Sequence, residues 1–244
     1  MNEQSSVHQP MEGLPFPKQL TESERFHQWL YQLIRPALKG KVLEVGSGIG
    51  NLSSMLVQDG FALRISDPDK LNCELLQKKF SGVPAIKGVH QLDISIPAFE
   101  APHQGFIGRF DTLISVNYKD QDVNNPLNLR NAKKLLGNRG RLIVLLPVHI
   151  ALYEQSELGF GYWRRSNRQD IRARLGKDCE VLHTQFFSIS AIPQMLKTIE
   201  RENLPEADQD SRYHQNVPSF GIIEEPAFNT TGLYALVIAR KISQ

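Results

Sequence analysis

The chain has 244 residues, 41% of them apolar and 22% charged, with a formal net charge of +2. That size suits one α/β unit with a sizeable core, and the near-neutral balance gives no broad electrostatic reason to expect nucleic acid or an anionic membrane as partner. No apolar run approaches the roughly 20 residues that span a bilayer, and Met1 to Gln9 lacks the basic start and apolar centre of a signal peptide, so the expectation is a soluble cytoplasmic protein acting on a small molecule.

Residues 1–20 form a lead-in in which Pro10, Pro15 and Pro17 sit among polar residues, and they predict irregular structure. Thr21 with Glu24 makes a capping box, and Phe26, Trp29, Leu30, Leu33 and Ile34 recur at helical spacing between Glu22 and Leu38. Trp29 serves equally well as core or as cover for a ligand. The run Val42 to Val45 then reads as a buried strand that breaks into a turn containing Gly46, Gly48 and Gly50. Glycine there permits positive φ and lets backbone approach a ligand without Cβ interference. A helix follows to about Asp59, with Asn51 and Ser53 placed to cap its amides, and Gly60 closes it.

Phe61 to Ser66 predicts a second strand ending at Asp67, and Lys70 to Phe80 a helix whose apolar face is Leu71, Leu75, Leu76 and Phe80. Ala85 to Val89 gives a weaker third strand, followed by Asp93. Phe110 to Val116 gives a fourth that delivers Asn117, residues 126–136 a helix closed by Gly137, and Arg141 to Leu146 a strongly apolar fifth strand. Strand and helix alternate, which argues for a parallel sheet with its ligand crevice beyond the carboxyl ends of the strands.

Beyond Pro147 the alternation loosens through His149, Tyr153 and Tyr162, suggesting a ligand-facing excursion at about 148–167. Ser166 or Asn167 caps a short helix, Glu180 to Ser188 makes a strand, Ile192 to Arg201 a helix, and Gly232 to Arg240 the last strand. A second insertion, about 189–228, has a polar stretch from Glu202 to Gln215 that reads as an insertion or a lid. The whole of 21–244 is taken as one domain, with a homodimer compatible with it. Cys73 and Cys179 lie far apart without metal-ligand spacing and read as reduced thiols, and no metal is expected.

A glycine-rich turn between strand and helix also serves dinucleotides, so its neighbours decide the ligand. Glu44, two residues before the first glycine, would repel a pyrophosphate and would suit a ligand carrying an ammonium and a sulfonium. Asp67, after the second strand, can accept from ribose hydroxyls, and Asp93 from an adenine amino group with Leu92 or Ile94 against the ring. A nicotinamide-dependent oxidoreductase remains an alternative that Glu44 and Asp93 disfavour.

Glu44-x-Gly46-x-Gly48-x-Gly50 resembles the first motif, E-x-G-x-G-x-G, of class I S-adenosylmethionine-dependent methyltransferases. The likeness continues through Phe110 to Ile114 and Gly140 to Leu142. Pro147 to Tyr153 and Gly161 to Ser166 look like the P-x-x-x-A-L-Y and Y-R-R-like segments of a bacterial small-molecule subgroup. The resemblance implies a Rossmann-like α/β fold, a mostly parallel seven-stranded sheet of order 3-2-1-4-5-7-6 with the last strand antiparallel and helices on both faces. It implies S-adenosyl-L-methionine as cofactor, held by Glu44, Gly46, Ser47, Gly48, Gly50, Asp67, Pro68, Leu92, Asp93, Ile94 and Asn117. The activity implied is methyl transfer to oxygen or nitrogen of a small organic acceptor, with His149 as candidate base and Tyr153, Tyr162 and Arg165 as candidate substrate contacts. The alternative is a catalytically inactive cofactor-binding subunit with a regulatory or assembly role. One departure motivates it: Asn117 to Asp122 stands where many relatives have a leucine-glutamate-histidine run, so no histidine is offered there. The arginines Arg164, Arg165, Arg168, Arg172 and Arg174 could clamp an oxyanion, but a solvated helix face is the simpler reading.

Overall fold

The computed structural model describes residues 24–116, 126–147, 149–152, 162–165, 168–187 and 234–242. In chain order its elements are α1 (Glu24–Ile34), β1 (Val42–Val45), α2 (Asn51–Gln58), β2 (Leu63–Asp67), α3 (Lys70–Lys79), β3 (Ile86–Gln91), β4 (Phe110–Ser115), α4 (Pro126–Leu135), β5 (Leu136–Pro147), β6 (His149–Leu152), β7 (Tyr162–Arg165), α5 (Arg168–Leu175), β8 (Cys179–Phe187) and β9 (Tyr234–Lys241). Short 3-10 turns, Arg35–Ala37 and Ala101–Phe106, follow α1 and precede β4.

Seven strands form one sheet in the order β3-β2-β1-β4-β5-β9-β8, and β6 with β7 forms a separate two-stranded ribbon. β1 pairs in parallel with β2 and β4, and β4 with β5, while β9 runs antiparallel to both β5 and β8. The expected order and the single reversed strand are therefore present. The excursion after Pro147 contains a feature that periodicity did not suggest: an antiparallel ribbon pairing His149 with Arg165 and Leu152 with Tyr162.

The period of two along the central strands divides their side chains between two cores. Val42, Ile65, Ile114, Ile143 and Ile238 pack with Phe26, Leu30, Leu52, Leu56 and Leu76 of α1 to α3. Leu43, Leu113, Leu142, Val144 and Val237 pack with Leu129 and Leu135 of α4 and with Ile171 and Leu175 of α5. Trp29 belongs to the first core and Leu92 and Ile94 to the second.

Several local expectations are corrected. α1 ends at Ile34 rather than Leu38, because Pro36 lacks the amide that another α-turn needs and the chain tightens into a 3-10 turn. α2 is entered from Gly50 at φ 77° with no side-chain cap, so neither Asn51 nor Ser53 has the capping role. β3 extends to Gln91, two residues beyond expectation, because Ser66 and Asp67 of β2 pair with His90 and Gln91. β5 starts at Leu136, which pairs with Phe110 before a register shift.

α3 also turns a different face to the sheet. Cys73, Leu76 and Phe80 are buried, whereas Leu71 and Leu75 are 67% and 53% exposed. The Asp69 carboxylate caps the helix through the Leu71 amide, and the Cys73 thiol reaches the carbonyls of Asp67 and His90, which together fix its rotation. The Thr21 capping box, the Ile192 to Arg201 helix, the polar stretch from Glu202 to Gln215 and the lead-in 1–20 lie outside the described residues. Among the described residues no helix is long and apolar enough to cross a membrane.

The rotation of α3 is testable by denaturant unfolding. Leu76→Ala should cost about 2–5 kcal/mol through lost burial and a cavity, whereas Leu71→Ala should change stability by less than about 0.5 kcal/mol.

Candidate functional site

The carboxyl ends of β1 and β2 are joined by backbone before any side chain is considered. The amides of Gly46 and Ser47 both donate to the Ser66 carbonyl at 2.9 Å, and the Gly50 amide closes the turn onto the Ser47 carbonyl. Gly46, Gly48 and Gly50 have φ of 75°, 55° and 77°, a region that L side chains rarely enter. The glycines divide the work. A Cβ at Gly50 would lie 2.7 Å from the Phe80 ring, so that position is bare for packing, whereas a Cβ at Gly48 would meet nothing within 4 Å. Open space at Gly48 is what close approach of a ligand requires.

Asp67 ends β2 almost wholly buried, at 3% exposure. One carboxylate oxygen accepts from the Gly48 amide at 2.9 Å, and the other accepts from the Asp69 amide and the Asn72 side-chain amide at 2.9 and 3.0 Å. Of the roughly four lone-pair sites of a carboxylate, three are thus in use. The expectation that Asp67 offers two free acceptors is corrected to one, on Oδ2. Asp67 first of all shapes the glycine turn.

Glu44 does not stand on the rim. Its side chain is 1% exposed and lies against α2, where the Ser53 hydroxyl donates to Oε2 at 2.6 Å. The other oxygen, Oε1, has no hydrogen-bond partner among the described residues. Burial pushes its carboxyl up to about 7, with the Ser53 hydroxyl and then the Ser47 hydroxyl opposing. Lys79 donates from Nζ to the carbonyls of Ile49 and Gly50 at 2.9 and 3.1 Å, closing the turn from its other side. Burial lowers the Lys79 pKa and the Glu44 charge opposes that shift.

Asp93 is half-buried beyond β3 and accepts through Oδ1 from the Ser95 amide and hydroxyl at 2.8 and 2.5 Å, leaving Oδ2 without a partner among the described residues. Its segment is held from below by Asn131 of α4, whose side-chain amide donates to the carbonyls of Ile94 and Ile96 at 2.9 and 3.0 Å. The flanking Leu92 and Ile94, one of which was expected against an adenine ring, are 1% and 6% exposed and turned into the second core. Pro68 follows Asp67 at the entrance to α3, and its carbonyl accepts from the Gln91 side chain.

The structure therefore gathers Glu44, Gly46, Ser47, Gly48, Gly50, Asp67, Pro68 and Asp93 at one edge of the sheet. β5 is parallel to β4, so Pro147 leaves the sheet at that same edge and leads directly to β6, with His149 opposite Arg165 in the ribbon. Tyr162 stands opposite Leu152 at the ribbon's other end. Asn117 and Tyr153 lie outside the described residues.

Lys79, Ser53, Asn72 and Asn131 were missed from sequence. Ser53 carried a signal of the wrong kind, a hydroxyl at a helix start, and the others lie 29, 5 and 37 residues from their partners with no motif to link them. Among the described residues no group of His, Cys, Asp or Glu could hold a metal ion.

No family model and no curated protein matches this chain. Solved structures do. The [4+2]-cyclase SpnF is 14% identical, with 91% of this chain and 81% of that one covered at a TM-score of 0.53. A predicted O-methyltransferase from Agrobacterium tumefaciens is 13% identical, with 89% and 81% covered at 0.52. An S-adenosylmethionine-dependent methyltransferase from Clostridium acetobutylicum ATCC 824 is 10% identical, with 91% and 92% covered at 0.50. Other matches are longer, and this chain spans 29% of the citrinin polyketide synthase CMeT domain structure and 54% of the CurJ carbon methyltransferase structure. At these identities what is shared is the fold.

The buried Glu44 carboxyl has a consequence for stability in the ligand-free protein. It keeps its proton up to about pH 7 when folded but releases it near 4.5 when exposed, so the folded state holds more protons between those values and its stability falls as pH rises through that window. Glu44→Gln should remove this fall, which amounts to about 3 kcal/mol by pH 8, as measured by denaturant midpoints from pH 4 to pH 8.

Proposed function

With the Rossmann-like class I methyltransferase fold as premise, we propose that the chain is an S-adenosylmethionine-dependent methyltransferase acting on oxygen or nitrogen of a small organic acceptor. The observation that carries the reading is the partnerless Oε1 of Glu44, buried at the base of a turn whose Gly48 faces open space. A buried carboxyl left half-satisfied destabilises the free protein and is offset when a cationic donor reaches it. An amino acid ammonium is such a donor, and a dinucleotide pyrophosphate is the opposite of one.

The residues present fit the cofactor in three further respects. Asp67 retains one acceptor site for a ribose hydroxyl, Asp93 Oδ2 is open to an amino group, and the bare backbone at Gly48 admits close approach. When bound, the cofactor supplies a sulfonium methyl that is already electrophilic. The chain's own contribution is then to hold an acceptor in line with it and to exclude water, and orientation of this kind accounts for a large share of rate acceleration. The excursion after Pro147 is the proposed substrate wall, with Tyr153, Tyr162 and Arg165 as contacts and His149 as the base where the acceptor must lose a proton. A homodimer and a cytoplasmic location remain part of this proposal.

A second reading has a specific observation in its favour: one structure of this fold is named a [4+2]-cyclase, so the fold alone does not fix the chemistry. In that reading the chain binds the cofactor in a regulatory or assembly role without transferring its methyl. Calorimetry with S-adenosylhomocysteine followed by a labelled-methyl assay on candidate acceptors separates the two readings.

In the calorimetry, Gly48→Val should weaken binding at least tenfold by placing a side chain in the open space, and Asp67→Ala by a similar factor through loss of both the acceptor and the turn's anchor. Glu44→Gln should also weaken binding about tenfold while making the free protein more stable, a combination that simple misfolding would not produce. Unchanged affinity in all three folded variants would overturn the site.

A further inference from the structure

We propose that the opposite edge of the sheet, at the amino ends of its parallel strands, carries a second ligand site that takes a small organic anion with a flat apolar body, an aryl phosphate or aryl carboxylate. A cavity of about 570 Å³ opens there, within the range of small-molecule sites, between the starts of β1, β2 and β4 and the edge strand β3. The residues that line it include four that carry a cation, Lys41, Arg64, Lys87 and Arg109, and no Asp or Glu. The Asp111 carboxylate next to β1 accepts from the Lys41 backbone amide at 2.8 Å.

Arg64 is the anchor. Its Nη1 donates to the Lys87 carbonyl at 3.1 Å and meets His90 Nε2 at 3.0 Å. A guanidinium can only donate, so the ring nitrogen must be the acceptor and the proton of the neutral imidazole sits on Nδ1. Burial, and then the Arg64 charge, hold His90 below its ordinary pKa and keep it in that neutral form. With Nη1 committed, the Nε and Nη2 edge of Arg64 has no partner among the described residues. Those two parallel donors are the pair that grips an oxyanion two-pronged.

The arrangement is built for this edge. At Gly88, φ 150°, an added Cβ would lie 2.6 Å from His90 Nε2, so glycine there leaves the imidazole its place. Phe106 supplies the flat surface, meeting the His90 ring edge-on at 4.8 Å and stacking on Phe110 at 5.9 Å, while remaining half-exposed to the cavity. Lys41 and Arg109 form no side-chain hydrogen bond or ion pair among the described residues, and Lys87 donates to the Pro84 carbonyl. Lys41, Lys87 and Arg109 are exposed to solvent and line the same cavity as Phe106.

Phenyl phosphate, titrated by calorimetry into the full chain at low salt, should bind saturably, with benzoate binding in the same way and phenol not at all. Arg64→Gln should weaken phenyl phosphate at least tenfold, and Lys41→Gln, an exposed change that leaves the core untouched, should weaken it several-fold. Affinity for S-adenosylhomocysteine should be unchanged by Lys41→Gln, since Lys41 precedes β1 and the rim lies at the other end of that strand. The proposal is overturned if phenyl phosphate does not saturate, if phenol binds equally well, or if both variants bind like the parent. None of these outcomes bears on the methyltransferase reading.

Discussion

The interaction on which the site depends is the joint between the carboxyl ends of β1 and β2. Gly46 and Ser47 give their amides to the Ser66 carbonyl, and Gly48 gives its amide to the Asp67 carboxylate. These bonds hold three glycines at positive φ in a turn that would otherwise sample many conformations, and Lys79 fixes the other side through the Ile49 and Gly50 carbonyls. Fixing a flexible turn beforehand spares a ligand much of the ordering entropy. The same joint explains why Asp67 is buried: its first task is structural, and only its remaining lone pair is free for recognition.

Within this frame the Glu44 carboxyl is only half satisfied. Ser53 satisfies one oxygen and nothing described satisfies the other, and burial raises the acid accordingly. Natural cores rarely keep such a defect without a use, and functional sites are where it is tolerated. The defect and the proposed ligand are complementary in charge, which links marginal stability in the free protein to affinity in the bound one.

The overall charge of +2 conceals a division between the two ends of the sheet. Glu44, Asp67 and Asp93 gather at the carboxyl edge, and Lys41, Arg64, Lys87 and Arg109 at the amino edge. Parallel strands make this possible, because every strand start lies on one side and every strand end on the other. A summed charge reports neither local field.

Much of this was legible in the sequence. The strands at 42–45 and 141–146, the positive-φ glycines and the order of the sheet follow from apolar periodicity, glycine's missing Cβ and the resemblance of the first motif, all of which are local in the chain. What needed tertiary structure was which atoms were already taken. Glu44 and Asp67 were found as acids at strand ends, but their burial, the donors of Ser53, Asn72 and Gly48, and the inward turn of Leu92 and Ile94 depend on contacts across the sheet. Likewise Leu71 and Leu75 fit a helical stripe as well as Cys73 does, and only the Asp69 cap and the docking of Cys73 against β2 and β3 decide which stripe is buried. Periodicity records which residues share a face. Which face meets the core, and which polar atom is left over, is set by partners distant in sequence.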